Sequence, residues 1–386
     1  MEEVKGRRKV KRMRGRTELA EDLVENILAR LSVKSLMRFK CVDRSWNVLF
    51  KTPTFVNNHL QIHRNQDILM FSHTHNFRWE VLNKNYSLSR IDTRDLFPEF
   101  DSEGYHCDDN IHSFNTQGHC NGVFCICVFY NHEIIPGEGR YHELILWNPA
   151  TREVKVVPPP PMSSRSHRYN LFFGFGADPN SNDLKIVNLI IDDENSHPPY
   201  SVLYNLITNS WTLITIDPLP VDATDSTYDM KGFLAKGVCY WIISQSYKNY
   251  RDILCFDFHN NQFHILKRPP TSIGYNHDFI TEVNDSTAYV VHYGDSYYHT
   301  GYSRNVEIWI LENDRWTKKY TFPPFEVLDG LYAIWKDGAE FIGVVVQAAN
   351  FEVFNSDSQS IRDLRVRSLT TDVLYKYVES IASLSF

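Results

Sequence analysis

Potential metal-binding side chains are concentrated between residues 106 and 127 of this 386-residue chain. Thiolates and imidazoles are the usual zinc ligands, and the segment contains His106, Cys107, His112, His119, Cys120, Cys125 and Cys127. However, no C-x-x-C pair occurs anywhere in the sequence, and the histidine spacings of six and seven residues match no standard ligand set. The run GVFCICVF is typical of a buried strand. We therefore predict reduced core thiols, histidines in polar loops and no metal site.

Other common signatures of enzyme chemistry are missing from the sequence. It contains no G-x-S-x-G elbow, no H-E-x-x-H pair, no phosphate-binding P-loop and no EF-hand loop. Two pairs of glycines, Gly137 with Gly139 and Gly174 with Gly176, lack the dinucleotide-binding fingerprint and are typical of turns between strands. We predict no catalytic residues and no cofactor, and hence a protein that is not an enzyme.

Acidic side chains form clusters where the apolar pattern of the chain lapses. Such segments are expected to be loops, and binding residues concentrate on loops that a rigid scaffold presents. The predicted target-binding carboxylates are Asp101, Asp108, Asp109, Asp192, Asp193, Glu194 and Asp225. Together they would form an acidic rim for a basic protein, and the alternative is a surface kept soluble by its negative charge.

Charge is distributed unevenly along the chain. The first 16 residues contain eight basic and two acidic side chains, a net charge of +6; since the whole chain carries −7, the remaining 370 residues carry −13. An acidic body attracts basic partners and disfavours nucleic acid. We predict a disordered basic leader over residues 1–18, with a nuclear localisation patch or a nucleic-acid contact as the alternative interpretation.

Hydropathy and cysteine usage bear on the cellular compartment. The longest apolar runs, such as FIGVVV at 341–346, are far shorter than the ~18 residues that a membrane span requires. No apolar segment follows the basic N-terminus, so the pattern does not predict a secretory signal. Seven cysteines without framework spacing are typical of reduced thiols. We expect a cytoplasmic or nuclear protein with no membrane partner.

Beyond residue 65 the sequence contains a repeated unit of apolar strand, polar turn and second strand. The copies cover 144–157, 201–214, 253–266, 306–319 and 351–364. A strand–glycine–strand element recurs between them, around Gly122, Gly237 and Gly338. Two hairpins in a period of roughly 50 residues give four strands, the content of one propeller blade.

With a degenerate copy at 65–100, the repeats predict a kelch-like β-propeller of about six blades. Pairing of the C-terminal VLYKYVESIASL with the early strands would close the ring and protect the strand edges. A large β-sandwich is the alternative.

Before residue 65 the apolar residues have helical periodicity. Three short helices are predicted: one with Leu23 and Ile27, one capped by Ser32 and one capped by Asp43. So small a unit cannot bury its own apolar surface, because folded units under about 40 residues need a metal, a disulfide or a partner. We therefore expect another protein to cover it. Thr52 and Pro53 predict a further, bridging helix over 52–63.

The sequence LAEDLVENILARLSVKSLMRFKCVDRSWNVLF at 19–50 resembles the F-box. The resemblance implies docking on the Skp-type adaptor of SCF ubiquitin ligases, through Leu19, Asp22, Leu23, Ile27, Leu28, Leu31, Val33, Leu36, Phe39, Val42 and Trp46. Ala20 and Ser32 replace two prolines that the motif usually has. Because proline pre-sets the backbone at a helix start, each replacement should cost about 0.4–1 kcal/mol and weaken the docking.

The repeats resemble the plant F-box-associated domain, through LWNPATREVKVVPPPP, VLYNLITNSWTLI, GVCYWI and ILCFDFHNNQFHIL in the family's order. VKSLMRFKCV, ILCFD and LYKYVESIASL are most similar to S-locus F-box and S-locus-like F-box proteins. The resemblance implies a substrate-recognition subunit of an SCF-type ligase, linked through the adaptor to cullin and a RING protein. It also implies a basic S-RNase as one candidate target, in self-incompatibility.

The sequence thus predicts an α+β multidomain protein: a leader at 1–18, an F-box with bridging helix at 19–64, and an F-box-associated β domain at 65–386. Two other functions stay open. One is an F-box scaffold that acts outside a ligase. The other is a propeller enzyme or sugar-binding module, since a fold does not decide function; it would need a converging polar or metal-bearing pocket at one mouth of the channel.

Overall fold

In the described part of the computed structural model, four helices precede twenty-four strands. The structure describes residues 20–64, 68–73, 78–93, 96, 111–130, 142–160, 169–192, 199–214, 216, 232–245, 250–271, 277–283, 286–293, 304–325, 328–335, 340–345, 350–355, 358, 360–367 and 373–384. The helices are α1 (Glu21–Ala29), α2 (Val33–Phe39), α3 (Arg44–Leu49) and α4 (Pro53–His63). Within the described residues, no helix combines the length and apolarity needed to cross a bilayer.

The strands form six four-stranded antiparallel sheets, the blades of a propeller. The first blade contains β1 (Ile68–His73), β2 (Arg78–Leu82) and β3 (Leu88–Arg90), and the second β4 (Ile111–Cys120), β5 (Val123–Tyr130), β6 (His142–Asn148) and β7 (Glu153–Val156). The third contains β8 (Tyr169–Ala177), β9 (Leu184–Asp192), β10 (Tyr200–Asn205) and β11 (Ser210–Ile214), and the fourth β12 (Phe233–Ala235), β13 (Val238–Gln245), β14 (Tyr250–Asp257) and β15 (Gln262–Lys267). The fifth contains β16 (His277–Val283), β17 (Ser286–Tyr293), β18 (Arg304–Glu312) and β19 (Arg315–Phe325), and the sixth β20 (Leu328–Trp335), β21 (Glu340–Val345), β22 (Asn350–Asn355) and β23 (Ile361–Arg367).

The last strand, β24 (Val373–Tyr377), closes the ring. It pairs antiparallel with β1 and is the innermost strand of the first blade, where it also contacts β20 of the sixth. Pairing of the C-terminal segment with the early strands is therefore confirmed, as is the six-bladed propeller, and the β-sandwich alternative is wrong.

The core consists of apolar layers between neighbouring blades. Strand β5 shows why its sequence is continuously apolar: Phe124 and Ile126 pack towards the first blade, whereas Cys125 and Cys127 pack towards the third. Since side chains alternate along a strand, a blade buried on both faces needs apolar residues at every position. The prediction that GVFCICVF is a buried strand is confirmed, and the described part contains one such cluster at each of the six blade junctions.

The predicted repeats correspond to the two outer strands of the second to sixth blades, β6–β7, β10–β11, β14–β15, β18–β19 and β22–β23. The strand–glycine–strand elements are the inner hairpins: Asn121–Gly122 and Lys236–Gly237 both have positive φ at the two turn residues, as a tight hairpin turn requires. Gly338 lies outside the described residues.

Gly174 and Gly176 were predicted in a turn but lie within strand β8. A Cβ atom at Gly174 would approach Cζ2 of Trp241 to 2.6 Å, so the missing side chain makes room for the next blade. The turn prediction was wrong because a glycine in a strand can equally mark close packing. Gly137 and Gly139 lie outside the described residues.

The ring has two distinct faces. At one, here called the hairpin face, the inner strands turn back and the outer hairpins close, with turns at 121–122, 206–209, 236–237, 258–261 and 313–314. The turn between β8 and β9, at 178–183, is tied to two of them: Nδ2 of Asn121 donates to Oδ1 of Asn182 at 2.6 Å, and Asn180 pairs with His259 at 2.8 Å. At the opposite face, β9 ends at Asp192 and β10 begins at Tyr200.

Candidate functional site

The four helices form one compact unit, and side-chain caps mark the start of two of them, α3 and α4. The Asp43 carboxylate accepts the backbone N–H and the hydroxyl of Ser45, both at 2.7 Å, and these bonds lower the Asp43 pKa. Thr52 Oγ1 accepts the N–H of Phe55 at 3.3 Å, with Pro53 as the first helical residue. The predicted caps at Asp43 and Thr52 are confirmed. Ser32 precedes α2 but makes no capping bond.

The helical unit has its own small core. It contains Leu28, Ala29, Leu36, Phe50, Phe55, Val56 and Ile381, with Val24, Leu31, Phe39, Trp46, Leu49, Leu60 and Ala382 packed around them. Helix α4 supplies part of this core and packs on α1. The predicted helix over 52–63 is therefore present, but it closes the unit rather than only bridging it to the propeller. His59, also on α4, contacts the carbonyl of Leu31 through Nε2 at 3.0 Å.

The predicted adaptor-binding residues divide into two groups. Leu28, Val33 and Leu36 are buried, and Leu31, Phe39 and Trp46 are partly buried. Leu28 and Leu36 lie in the core of the helical unit, and Leu31, Phe39 and Trp46 pack around it, so the expectation that the whole stripe faces a partner needs correction. The physical reason is that α4 and Ile381 cover the side of the stripe that the first three helices leave open.

The second group is exposed. Leu23 and Ile27 on α1 are 49% and 48% exposed, and Val42 between α2 and α3 is 69% exposed. Asp22 is also exposed, whereas Leu19 lies outside the described residues. The sequence reasoning missed Val48 on α3, which is 67% exposed. Its position two residues after Trp46, which faces inward, was the available signal.

The chain end attaches the helical unit to the hairpin face. Residues 378–384, here called the C-terminal strap, leave β24 and place Ile381 in the helical core and Leu384 in the cluster between the second and third blades. A second contact joins Arg64 after α4 to Glu282 on β16, at 3.2 Å. Lys40 after α2 is half-buried beside Glu153 of β7; burial lowers its pKa, which Glu153 partly offsets.

The predicted target-binding carboxylates fall mostly outside the described residues. Asp101, Asp108, Asp109, Asp193, Glu194 and Asp225 lie outside the described residues, as does the side chain of Asp192 at the end of β9. The described strand ends that flank these segments in sequence, such as Arg90 and Ile111 or Ile214 and Phe233, lie at the face opposite the helical unit.

The thiols and one histidine are buried groups in the propeller. Burial raises the pKa of Cys120 and Cys255 to about 12 and that of Cys125, Cys127 and Cys239 well above the usual range. His119 was predicted in a polar loop but lies on β4 among Phe124, Tyr375 and Tyr377, where burial lowers its pKa to about 3. Among the described residues, no three His, Cys, Asp or Glu side chains converge as metal ligands.

Comparison with known families agrees with this architecture. A model of the F-box domain matches residues 17–58, and a model of the F-box associated beta propeller domain matches residues 69–343. The propeller extends past the matched region, because the sixth blade and the closing strand end at Tyr377.

Similar proteins occur in Arabidopsis thaliana. Two are named as F-box proteins: one is 28% identical over 254 residues, covering 65% of this chain and 61% of the relative, and the other 26% over 333 residues, covering 78% and 74%. A third, named as an F-box/kelch-repeat protein, is 24% identical over 337 residues, covering 81% and 74%. The chain thus spans less than two thirds of the first relative. With the matched domains and the six-bladed ring, these findings show that the chain belongs to the plant family of F-box proteins with an F-box associated beta-propeller domain.

Proposed function

We propose that this protein is the substrate-recognition subunit of an SCF-type ubiquitin ligase. The F-box helices bind a Skp-type adaptor and, through it, cullin and a RING protein, while the propeller holds a protein target. The chain itself supplies no chemistry in this role. It raises the effective concentration of target lysines near the ubiquitin-conjugating enzyme, an advantage that can reach about 10²–10⁴.

The adaptor half of the proposal rests on the exposure of Leu23, Ile27, Val42 and Val48. The other large apolar side chains in the described part of the helical unit, except Ile62 on α4, are buried or partly buried. Exposed aliphatic groups concentrated on one small unit are typical of a protein-binding surface. Ala20 begins α1 without a side-chain cap, so the loss of the usual proline there is not compensated by capping. We therefore expect a competent but weakened adaptor contact.

The target half is supported by the two-faced ring. The F-box unit contacts the hairpin face, and the strands that flank the acidic segments end at the other face. A target held there would not compete with the adaptor for space. The charge of −13 on residues 17–386 favours a basic target. A basic S-RNase, as in S-locus F-box proteins, is one candidate, and Asp101, Asp108, Asp109, Asp192, Asp193, Glu194 and Asp225 are the proposed contacts.

The adaptor contact is tested by substituting exposed rather than buried residues. The double variant Val42→Asp/Val48→Asp should lower the affinity for purified Skp-type adaptor about a hundredfold or more, since each charge would be desolvated in an apolar contact. Circular dichroism should show an unchanged fold. Ile361→Asp, at an exposed isoleucine of β23, is the matched control and should bind normally.

Leu36→Asp provides the contrasting case. Leu36 is fully buried, so this substitution should unfold the helical unit and abolish binding without reporting on the interface. Wild-type affinity of the Val42→Asp/Val48→Asp variant would refute the proposed contact. Capture of adaptor without cullin would instead indicate a scaffold outside a ligase.

A further inference from the structure

The C-terminal strap, residues 378–384, begins where the ring closes and completes the F-box core at Ile381. Strand β24 pairs with β1 up to the register of Tyr377 with Ile68. Four residues later, Ile381 is 1% exposed and packs in the cluster with Leu28 and Phe55. Strand β24 thus closes the ring, and the strap that directly follows it packs in the F-box core.

On the propeller side, hydrogen bonds fix the strap on the second blade. Asn148 Nδ2 donates to the carbonyls of Ser380 at 3.0 Å and Ala382 at 2.8 Å. The Glu153 carboxylate accepts the hydroxyl of Ser383 at 3.0 Å and the N–H of Leu384 at 2.6 Å. These bonds give polar groups of the strap backbone hydrogen-bond partners in the protein, as a segment held in one conformation requires.

Gly122 shows how closely the strap approaches the second blade. A Cβ atom at Gly122 would overlap Cβ of Ser380 and would lie 2.7 Å from the carbonyl oxygen of Val378. Ser380 is fully buried at this contact. The strap therefore binds to a defined position on the second blade, and this binding site forms only when the second blade has folded.

On the F-box side, Ile381 fills a core that is small. Only a handful of side chains are fully buried there, so each one represents a large share of the packing. The other members come from residues 28–56, whereas Ile381 arrives from the far end of the chain. The F-box core is therefore incomplete until the C-terminus is in place.

We propose that the strap makes the adaptor-binding surface conditional on a closed propeller. A chain whose ring is open, truncated or unfinished lacks Ile381 in the F-box, so its helices are loosened and present Leu23, Ile27, Val42 and Val48 in no fixed arrangement. Only a finished receptor would then engage the adaptor. The link to adaptor binding rests on the proposed function; the link between strap and helices does not.

Two disruptive substitutions and a truncation of the full chain test this coupling, together with two control substitutions. Ile381→Asp places a charge in the F-box core, and Ile381→Val should retain wild-type behaviour. Asn148→Asp keeps the acceptor for the N–H groups of Ala150 and Thr151. It replaces the two bonds donated to the strap by repulsion between a carboxylate oxygen and the carbonyls of Ser380 and Ala382. Truncation after Tyr377 keeps β24 and removes the strap. Ile361→Asp, at an exposed site, is the control.

The first readout is hydrogen exchange of the chain alone. Ile381→Asp and the truncation should reduce amide protection in α1 and α4 about tenfold or more, Asn148→Asp should reduce it less, and β5 should stay protected. Unchanged protection of α1 and α4 beside a protected β5 would overturn the proposal. If Ile381→Asp also loses amide protection in β5, the Asn148→Asp variant is used instead. Unchanged protection of α1 and α4 in that variant, with β5 still protected, would then overturn the proposal.

The second readout is titration with purified Skp-type adaptor. Affinity should fall about tenfold or more in Ile381→Asp and in the truncated chain, in parallel with the loss of helix protection. Wild-type affinity of the truncated chain would overturn the proposal. Failure of the wild-type chain to bind adaptor would refute the proposed function instead, and the exchange measurement would still decide whether the strap stabilises the helices.

Discussion

The Tyr86 hydroxyl donates a hydrogen bond to the Glu340 carboxylate across the seam between the first and sixth blades. Tyr86 has a left-handed backbone, with φ of +61°, and its ring packs edge-on against Trp335 at 5.8 Å. The guanidinium of Arg362 lies 4.2 Å from the ring centroid. A bulky residue is uncommon in this conformation, so the contacts that it makes across the seam must outweigh the backbone strain.

Tyr86→Phe should therefore destabilise the closed ring. The substitution keeps the ring contacts but removes a hydrogen bond to the buried Glu340 carboxylate, and we expect a loss of about 1–3 kcal/mol in the free energy of unfolding. Urea denaturation measures it. Tyr320→Phe, at an exposed tyrosine of β19, is the control. Equal stability of Tyr86→Phe and the wild type would contradict a role in ring closure.

The stability of the F-box helices should depend on pH through His59. Burial lowers the His59 pKa to about 4, with a smaller contribution from His63, against the bond to the Leu31 carbonyl. Since the folded pKa lies below the ordinary value near 6.5, the unfolded state binds more protons between these pH values. Stability should be full above pH 6.5 and should fall towards pH 4, by up to about 1.4 kcal/mol per pH unit.

Hydrogen exchange of α4 between pH 4 and 7, corrected for intrinsic rates, measures this dependence. His59→Gln should flatten it, because glutamine does not titrate. His119 has a lowered pKa too, so His119→Gln should change only the acid response of the second blade. An α4 response that is the same in His59→Gln and the wild type would show that another group titrates.

Lys185 and Asp178 should be coupled energetically at the hairpin face. Lys185 Nζ lies 2.8 Å from Asp178 Oδ2 and donates to Asn261 Oδ1 of the next blade at 3.2 Å. Burial would raise the Asp178 pKa, but the Lys185 ammonium and neighbouring N–H groups hold it below its ordinary value. Each of Lys185→Met and Asp178→Asn should destabilise the protein, while the double variant should be less damaging than their sum.

A double-mutant cycle by urea denaturation should give a coupling energy of about 1–3 kcal/mol for this largely buried pair. Lys319 and Glu312 provide the control, because they lie 3.0 Å apart with both side chains about half exposed. Their coupling should stay below about 1 kcal/mol. Equal coupling energies in the two cycles would mean that burial of Lys185 does not strengthen its interaction with Asp178.

Reversing Asp192, Asp193 and Glu194 to Lys should slow association with a basic S-RNase and flatten its salt dependence, since steering acts on the rate of encounter. Stopped-flow mixing at low and high salt measures the rate. Reversal of Glu312 and Asp314, on the hairpin face, is the control and should have a smaller effect. An unchanged rate at low salt would argue against steering by this cluster.

Local patterns in the sequence predicted most of the secondary structure and the propeller fold. The repeat at 144–157 and its copies predicted the outer hairpins, and the Gly122 and Gly237 elements predicted the inner turns, because turn chemistry and period-two burial are properties of neighbouring residues. The prediction failed where one local pattern is compatible with two structures. Gly174 was assigned to a turn although it makes room for Trp241, and His119 was assigned to a loop although it lies on β4.

The sequence by itself determined the helices, the blades and an apolar stripe at residues 19–50. Only the tertiary structure decided which members of that stripe are available to a partner. Leu28 and Leu36 carry the same periodic signal as Leu23 and Ile27, but the first pair is covered by α4 and by Ile381. Helical periodicity specifies which residues share a face; it cannot specify what covers that face when the covering side chain lies more than 300 residues away.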